Sequence, residues 1–436
     1  MSLRYLETRV TSQTSSLAAK PRVLLLVDCY FPAAKSSAKL VHDLGVEISR
    51  QGCDVVVATA SDVIAQPLEI SREDGLTVLR VRAGRIKGAS KLVRAINESL
   101  LSSTLWRCAG GFLRQNPCDL VVFYSPTIFF SGLVRRLKLL WRCPAYMILR
   151  DIFPQWAVDA GVLRRYSPIY AYFRAMEKRQ HRVADVIGVQ TTRNLDYFTQ
   201  NFPGGRFTLE VLYNWTALNE PEVPHTDYRR RLGLSDRFVF FYGGNMGVAQ
   251  DMDNLLRLAR SLRDHPRIHF LLVGEGSETT RLNRSIAAEG LSNIQLLPSV
   301  GQNEYLGMLS EFDVGLISLH RRLTTHNVPS KLLGYLHCGM PTLASINAGN
   351  DFQHILERGE AGLCTINGDD EGLRRNALRL AEDADLRKRM GASARRLLET
   401  VFSDRAAAKQ VLRHLPARGV LHQSSSALNS GLCPDT

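Results

Sequence analysis

The stretch Arg22-Val-Leu-Leu-Leu-Val-Asp28 decides the fold class of this chain. Its continuous apolar run is typical of a strand that is buried on both faces of a parallel sheet. Residues 36–50 follow with apolar side chains four residues apart, which predicts an amphipathic helix, and Asp54–Thr59 reads as a second strand. A strand, a crossover helix and a second strand in this order predict a doubly wound parallel α/β sheet.

The same alternation continues along the chain and then restarts. In the first half, further strands are predicted at Thr77–Arg82, Asp119–Tyr124, Ala145–Leu149 and Val186–Gln190. In the second half, strands are predicted at Arg237–Tyr242, Ile268–Val273, Ile294–Leu297, Val314–Ser318, Thr342–Ser345 and Gly362–Thr365. A chain of 436 residues exceeds one ordinary core, so two such domains are expected. Their ligands should bind in a cleft at the carboxyl ends of the strands.

These patterns divide the chain into five predicted parts. Residues 1–20 and 416–436 are expected to be flexible tails, because neither stretch carries a periodic apolar pattern. The two Rossmann-like domains are placed at 21–215 and 216–401, with a linker around 220–225. Residues 402–415 are predicted to form a final helix.

The composition of the sequence bears on the cellular compartment of the protein. No apolar run approaches the ~20 residues of a membrane-spanning helix, and the first twenty residues lack the apolar centre of a signal peptide. The eight cysteines are scattered without a C-x-x-C pair, which indicates reduced thiols. A cytoplasmic protein is therefore expected.

The net charge of +13 is concentrated in the first half. Residues 1–215 carry 29 Lys and Arg against 17 Asp and Glu, and residues 80–150 alone carry thirteen against two. The basic, amphipathic stretch 132–142 fits an anionic membrane surface, although a crossover helix with basic flanks is the alternative. We therefore expect peripheral association with the inner face of the plasma membrane. No nucleic-acid motif accompanies the charge, and nucleic-acid binding is not expected.

The stretch most informative about function is His326-Asn-Val-Pro-Ser-Lys-Leu-Leu-Gly-Tyr-Leu-His-Cys-Gly-Met-Pro-Thr-Leu-Ala-Ser345. It reads as a loop, a short helix that begins near Ser330, a stop at Gly339 and an apolar strand. A serine at a helix start with Lys331 just inside it predicts an anion-binding site. A solvated surface lysine is the alternative interpretation.

This stretch resembles the sugar-nucleotide signature of the family 4 retaining glycosyltransferases, which have the two-domain GT-B architecture. In that signature two acidic residues stand where this chain has His326 and Gly334. The resemblance extends over roughly residues 21–415 and implies that the final helix crosses back to the first domain. It also implies a set of donor-binding residues: Gly244, Asn245, Gln250, Gly274, Glu275, Val300, His326, Ser330, Lys331, Leu332 and Gly334.

The glycine-rich stretch Gly243-Gly-Asn-Met-Gly247 follows a predicted strand, and such glycines allow a backbone to approach a phosphate closely. A simple glycine-rich turn is the alternative. In the family, an arginine and a lysine commonly hold the diphosphate from this loop, and Asn245 and Gln250 stand at those places here. Because neither carries charge, we predict that Lys331 and the helix start in which it lies bind the diphosphate, and that Lys331 is catalytic.

In the first domain, the resemblance implies acceptor-side roles for Lys35 and Ser36, in the loop after the first strand, and for Arg150 and Trp156. Arg150-Asp151 follows an apolar strand and resembles a subgroup of bacterial O-antigen and capsule transferases that handle N-acetylfucosamine-type amino sugars. There Asp151 would contact the acceptor hydroxyl or the reacting sugar, which makes it the second predicted catalytic residue. A helix cap or an ion pair with Arg150 is the alternative role for Asp151.

The resemblance implies transfer of a sugar, with retention, from a UDP-sugar donor to a lipid-linked (polyprenyl) saccharide in surface-polysaccharide synthesis. No metal cofactor is expected, because GT-B enzymes work without one and the Asp-x-Asp pairs at 251–253 and 383–385 lie at predicted helix starts. Two alternatives remain open from the sequence. One is a sugar-nucleotide epimerase of the same fold, and the other is a catalytically degenerate relative that acts as a partner subunit.

Overall fold

The structure is a computed structural model that describes residues 20–33, 36–84, 96–125, 127–150, 152–159, 162–218, 226–323 and 328–416. Almost all of both predicted tails and the predicted linker at 220–225 lie outside the described residues, as do Lys35, Asp151 and His326. For Ser36 and Trp156 the backbone is described and the side chain is not.

The first domain contains an eight-stranded sheet in the order β3-β4-β2-β1-β5-β6-β7-β8. Its strands are β1 (Arg22–Val27), β2 (Asp54–Ser61), β3 (Leu68–Glu73), β4 (Leu76–Arg82), β5 (Leu120–Ser125), β6 (Ala145–Leu149), β7 (Val186–Val189) and β8 (Thr208–Val211). Every pair is parallel except the β3–β4 hairpin at one edge. The chain order reverses between β1 and β5, which creates a crevice at the carboxyl ends of these strands.

The second domain contains a six-stranded, fully parallel sheet in the order β11-β10-β9-β12-β13-β14. Its strands are β9 (Phe238–Gly243), β10 (Ile268–Val273), β11 (Ile294–Leu297), β12 (Val314–Ser318), β13 (Thr342–Ile346) and β14 (Gly362–Ile366). Two parallel-sheet α/β domains confirm the predicted fold class.

Two strands were not predicted from the sequence, and both are short of apolar residues. In β3, Leu-Glu-Ile-Ser-Arg-Glu, polar side chains are frequent and most positions are at least partly exposed. The four residues of β8 form the other edge of the sheet. Edge strands need no continuous apolar run, because at most one neighbour and one face cover them.

Helices cover both faces of each sheet. In the first domain they are α1 (Ser36–Arg50), α2 (Leu101–Gln115), α3 (Ser131–Trp141), α4 (Gln155–Asp159), α5 (Pro168–Val183) and α6 (Thr192–Asn201). Those that follow are α7 (Tyr228–Arg231), α8 (Met252–Ser261), α9 (Thr279–Ala288), α10 (Gln302–Glu311), α11 (Lys331–His337), α12 (Asp351–Arg358), α13 (Asp370–Glu382), α14 (Ala384–Leu397) and α15 (Asp404–Leu412). Each sheet thus has an apolar core on both faces.

The chain passes between the domains twice, and the two crossings are hydrogen-bonded to each other. The Thr216 N–H donates to the Phe402 carbonyl oxygen at 2.9 Å, and the Asp404 N–H donates to the Thr216 carbonyl oxygen at 3.0 Å. Beyond this point α15 packs on α1, with Ala408 fully buried in the core of the first domain. The domain boundaries themselves stay predictions.

Candidate functional site

A cleft cavity of about 960 Å³ lies at the carboxyl ends of β9, β10 and β12. The first domain contributes part of its wall through Lys39, Leu40 and Asp43 of α1. Most of the predicted donor-binding residues line this cavity: Gly244, Asn245, Gln250, Gly274, Glu275, Val300, Ser330, Lys331 and Gly334. Leu332 does not, because its side chain is fully buried in the core of the second domain.

Two glycine turns interlock beside the cavity. Gly274 has a φ of +150°, and a Cβ there would lie 1.9 Å from the carbonyl oxygen of Gly244. A Cβ on Gly276 would lie 2.3 Å from the carbonyl oxygen of Met246, whose N–H donates to the Glu275 carbonyl oxygen at 2.8 Å. The glycines are therefore required by backbone-to-backbone contact between the two turns. This contact fixes the shape of the cavity wall.

The two uncharged residues of the glycine loop are bonded to each other. Gln250 Oε1 accepts hydrogen bonds from Asn245 Nδ2 at 3.0 Å and from the Gly247 N–H at 3.1 Å. At the two positions where the family resemblance implies an arginine and a lysine, this chain has two uncharged side chains, and their hydrogen bonds stabilise the conformation of the loop. The loop therefore supplies geometry to the cavity and no positive charge.

Lys331 supplies a cation to the cavity from the first position of α11. Its Nζ lies 3.7 Å from the centroid of the Tyr242 ring, a cation–π contact. Burial lowers the pKa of Lys331 to about 7, and among the described residues no carboxylate oxygen lies within salt-bridge distance of Nζ. The Tyr242 hydroxyl is itself held in place, because it donates to the Asn245 carbonyl oxygen at 2.5 Å. An ammonium without an acidic partner is suited to bind an anion.

The start of α11 is partly closed by its own backbone. The side chain of Ser330 makes no capping hydrogen bond. The Leu332 N–H donates to the Pro329 carbonyl oxygen at 3.0 Å, and the Leu333 N–H donates to the Ser330 carbonyl oxygen at 3.1 Å. The predicted anion site at this helix start therefore relies more on the Lys331 side chain than on free N–H groups.

Gly334 lies one helical turn after Ser330, where the family has its second acidic residue. A Cβ built on Gly334 would lie 3.0 Å from Leu309 Cδ1 and 3.6 Å from Tyr305 Cε1. Two other residues that line the cavity are bonded to each other, since Ser299 Oγ donates to Glu275 Oε1 at 2.5 Å. Glu275 is thus an acidic residue that faces the cavity from the second domain.

Arg150 holds the chain segment that leads from the first domain into the second. Its Nη1 donates to the Leu212 carbonyl oxygen at 2.9 Å, and its Nη2 donates to the Tyr213 carbonyl oxygen at 3.3 Å. The guanidinium carbon also lies 5.2 Å from the centroid of the Trp215 ring, and Trp215 Nε1 donates to the Leu40 carbonyl oxygen at 3.0 Å. The predicted acceptor-side residue Arg150 is therefore bonded to the interdomain segment.

Several residues in the cavity wall or directly behind it were not identified from the sequence. Lys39 and Asp43 form an ion pair at 2.7 Å on α1, and Tyr242 lies under Lys331. The four-residue spacing of Lys39 and Asp43 was a usable signal for the ion pair. Nothing in the sequence around Tyr242 indicated a cation contact, because the two residues are brought together by the fold.

Among the described residues, no group of three or more His, Cys, Asp and Glu side chains is arranged to hold a metal ion. Across the same residues, none of the helices combines the length and apolar character that crossing a membrane requires.

Two family models match the chain in adjacent regions. Residues 37–215 match the glycosyl transferase 4-like domain, and residues 225–397 match the glycosyl transferases group 1. The first match falls on the eight-stranded sheet and the second on the six-stranded sheet.

Comparisons with individual proteins match only part of the chain. The chain is 30% identical over 130 residues to the putative colanic acid biosynthesis glycosyl transferase WcaI of Escherichia coli K12, which covers 30% of this chain and 32% of WcaI. It is 30% identical over 205 residues to the lipopolysaccharide core biosynthesis glycosyltransferase LpsD of Rhizobium meliloti, which covers 47% of this chain and 56% of LpsD. The chain thus spans about a third to three fifths of the length of the curated relatives it matches.

Among solved structures, HepE of Anabaena in complex with UDP superposes with a TM-score of 0.60 at 17% identity. The superposition covers 90% of this chain and 99% of HepE. At this identity the likeness shows the GT-B fold alone. Together with the two family matches, which lie side by side along residues 37–397, it shows that the chain has the GT-B fold and is similar to glycosyltransferases over both domains.

Proposed function

We propose that this protein transfers a sugar from a UDP-sugar to a lipid-linked saccharide during the synthesis of a surface polysaccharide. The observation that carries the proposal is Lys331, a half-buried ammonium that lines the cleft without a carboxylate partner among the described residues. Burying such a cation is energetically unfavourable unless an anion binds next to it and compensates its charge. The diphosphate of a nucleotide-sugar is such an anion.

The geometry of the cleft supports a separate role in donor binding or sugar transfer for each of its parts. The interlocked turns at Gly244 and Gly274 shape the wall against which the nucleotide would lie. Lys331 would bind the diphosphate and stabilise the negative charge that develops on it as the bond to the sugar breaks. The acceptor would approach from the first domain on the same face of the sugar, so the anomeric configuration would be retained. Asp151 stays the predicted contact to the acceptor hydroxyl or the reacting sugar.

The comparisons support the class of donor and pathway. HepE was solved with UDP and with UDP-glucose, and the relatives WcaI and LpsD carry names that refer to colanic acid and to the lipopolysaccharide core. For this chain we propose a UDP-sugar, with an N-acetylated amino sugar as the candidate glycosyl group. We further propose a polyprenyl-linked acceptor at the inner face of the plasma membrane and catalysis without a metal.

A panel of UDP-, GDP- and dTDP-sugars tests the donor. At equal ligand concentration the melting temperature should rise further for a ligand that binds more tightly, and we expect the largest rise with a UDP-sugar. The best donor is then incubated with lipid-linked saccharides, and the anomeric configuration of the product is read by NMR. Failure of every nucleotide-sugar to stabilise the protein would contradict the proposal.

The same assay separates the two rival functions. An epimerase would convert the donor when no acceptor is present. A partner subunit would bind the donor and transfer nothing. This alternative is tested because the uncharged residues Asn245 and Gln250 stand where the family resemblance implies cations.

A further inference from the structure

Residues 162–167, which precede α5, and the start of α5 expose large apolar side chains. Val162, Tyr166, Ile169 and Tyr172 are all exposed, Tyr166 to 83% and Ile169 to 59%. We call these four side chains the 162–172 surface. These four large apolar or aromatic side chains are exposed within eleven residues of sequence, and groups of exposed apolar side chains are typical of interaction sites.

The charged residues of this segment are almost all basic. Residues 162–183 contain six Lys and Arg and a single acidic residue, Glu177. Glu177 is buried and paired with Arg174, so it offers no negative charge to the outside. Arg164 and Arg165, in contrast, are exposed within the 162–172 surface itself. The partner of this surface should therefore be both apolar and anionic.

Tyr166 has an uncommon backbone conformation. Its φ is +66°, in the left-handed region that bulky residues rarely adopt. Its side chain is 83% exposed, and its ring lies 6.5 Å from the Tyr170 ring and 5.5 Å from the Arg165 guanidinium carbon. A strained backbone at an exposed residue does not serve the packing of the core. It indicates instead that the Tyr166 side chain contacts a binding partner.

The position of the surface relates it to the acceptor side of the cleft. The backbone N–H groups of Val162 and Leu163 both donate to the Ala157 carbonyl oxygen at 2.9 Å, and the Phe153 and Phe173 rings lie 4.9 Å apart. These contacts tie the surface to the loop that follows β6, at the carboxyl edge of the sheet. The exposed Leu139, in contrast, lies near the end of α3, which leads into the amino end of β6. The basic stretch 132–142 therefore directs its exposed apolar side chains toward the opposite edge.

We propose that the 162–172 surface is the membrane-docking surface of this protein, and that its partner is a bilayer rich in anionic phospholipid. Tyrosines and aliphatic side chains enter the interfacial layer, and neighbouring arginines bind anionic headgroups. Docking here places the carboxyl edge of the first sheet toward the bilayer. The inference rests on the proposed function in one respect, because a lipid-linked acceptor explains why the docking surface adjoins the acceptor side of the cleft.

Flotation with vesicles tests this proposal on the full chain. Vesicles of phosphatidylcholine alone are compared with vesicles of equal parts phosphatidylcholine and phosphatidylglycerol. We expect wild-type protein to float with the anionic vesicles, and the double variant Tyr166→Ser/Ile169→Ser to partition about tenfold less. The matched control Leu139→Ser/Leu140→Ser removes two exposed leucines at the opposite edge and should partition like wild type. Arg164→Glu/Arg165→Glu should abolish the salt-sensitive part of binding.

Other outcomes would overturn the inference. These are loss of binding only in the 139/140 variant, equal binding by all variants, or a wild-type dimer that the 166/169 variant converts to a monomer in sedimentation. UDP-induced thermal stabilisation is measured in parallel on each variant, and its retention shows that the cleft is intact. If wild-type protein binds vesicles through these residues but responds to no nucleotide-sugar, the proposed function fails and the docking surface stands.

Discussion

At the scale of single residues, Lys331 combines two properties that oppose each other in the unliganded protein. Its ammonium is stabilised by the Tyr242 ring, and burial at the same time disfavours the charged form. The pKa of about 7 reflects the second effect. A bound diphosphate would reverse the balance, because an opposite charge at hydrogen-bond distance restores the protonated form.

Replacing Lys331 should therefore separate ligand binding from stability. In Lys331→Met, affinity for UDP should fall about 10- to 100-fold, the loss expected for one charge-assisted hydrogen bond. The melting temperature of the free protein should stay the same or rise, because methionine fills the site without burying a charge. Calorimetric titration and thermal unfolding measure the two quantities. Lys39→Met, which removes a cavity lysine that is paired with Asp43, should keep most of the affinity; equal losses in both variants would contradict the assignment.

The lowered pKa of Lys331 also predicts a pH dependence. Above about pH 7 the free protein loses the Lys331 proton, so UDP affinity should fall as the pH rises from 7 to 9. Since the folded pKa lies below the unfolded value, this group lowers stability fully below about pH 7 and progressively less as the pH rises toward 10.5. Titrations at several pH values in Lys331→Met should be flat over the same range. A wild-type affinity that does not change with pH would exclude Lys331 as the diphosphate ligand.

Gly334 gives a prediction of gained affinity. Gly334→Glu restores the acidic side chain of the family signature at the cavity wall, and we expect UDP to bind about tenfold tighter through the ribose hydroxyls. Leu309 Cδ1 must move by a few tenths of an ångström, because a Cβ would lie 3.0 Å from it. Gly334→Ala makes the same contact without the carboxylate and serves as the control. Equal UDP affinity in both variants would show that the ribose is not bound at this position.

At the scale of elements, the donor side of the cleft depends on the contact between two strand-to-helix turns. The turn after β9 and the turn after β10 meet through backbone atoms, with hydrogen bonds from Gly244 to Val273 and from Met246 to Glu275. Neighbouring parallel strands bring their carboxyl ends together, so the two turns are forced to share one small volume. This contact leaves no room for a side chain between them.

Gly274→Ala tests this contact. The new Cβ would lie 1.9 Å from the Gly244 carbonyl oxygen at a φ of +150°, and we expect a loss of about 2–4 kcal/mol in unfolding free energy. UDP binding should weaken as well, since Gly244 must move. The control is Gly111→Ala in α2, where a Cβ meets nothing within 4 Å and helix propensity should add up to about 1 kcal/mol. Urea unfolding of both variants gives the comparison; an unchanged midpoint for Gly274→Ala would contradict the contact.

At the scale of the whole molecule, polar contacts around the interdomain crossing add to the packing of α15 on α1 in joining the two domains. Arg150 binds two carbonyl oxygens of the segment that leaves the first domain, and Trp215 anchors the same segment to α1. The second crossing is bonded to the first at Thr216. Because α1 also lines the cavity, these contacts connect the domain arrangement to the shape of the cleft.

Arg150→Gln should accordingly affect both stability and the cleft. Loss of charged hydrogen bonds to Leu212 and Tyr213 should lower the unfolding free energy by about 2–3 kcal/mol. Small-angle scattering should show a larger radius of gyration and a smaller contraction on addition of UDP. Arg263→Gln, at an exposed arginine, is the control for loss of a positive charge and should change neither quantity. An Arg150→Gln protein that contracts like wild type would limit Arg150 to a local role.

The sequence by itself determined the two-domain α/β fold and, through the family resemblance, part of the cavity wall. Buried parallel strands require continuous apolar runs, and parallel strands place their following loops at one edge, so the residue pattern alone locates β1, β9 and the glycine loop. Partners that are distant in sequence could not be found in this way. The contact of Gly274 with Gly244, the Tyr242 ring under Lys331, the bonds of Arg150 to the crossing segment and the exposure of the 162–172 surface all depend on three-dimensional packing. Residue types and spacing specify local structure. Burial and long-range contacts are set only when the helices and strands pack together, and this packing decides which of the predicted site residues face the cleft.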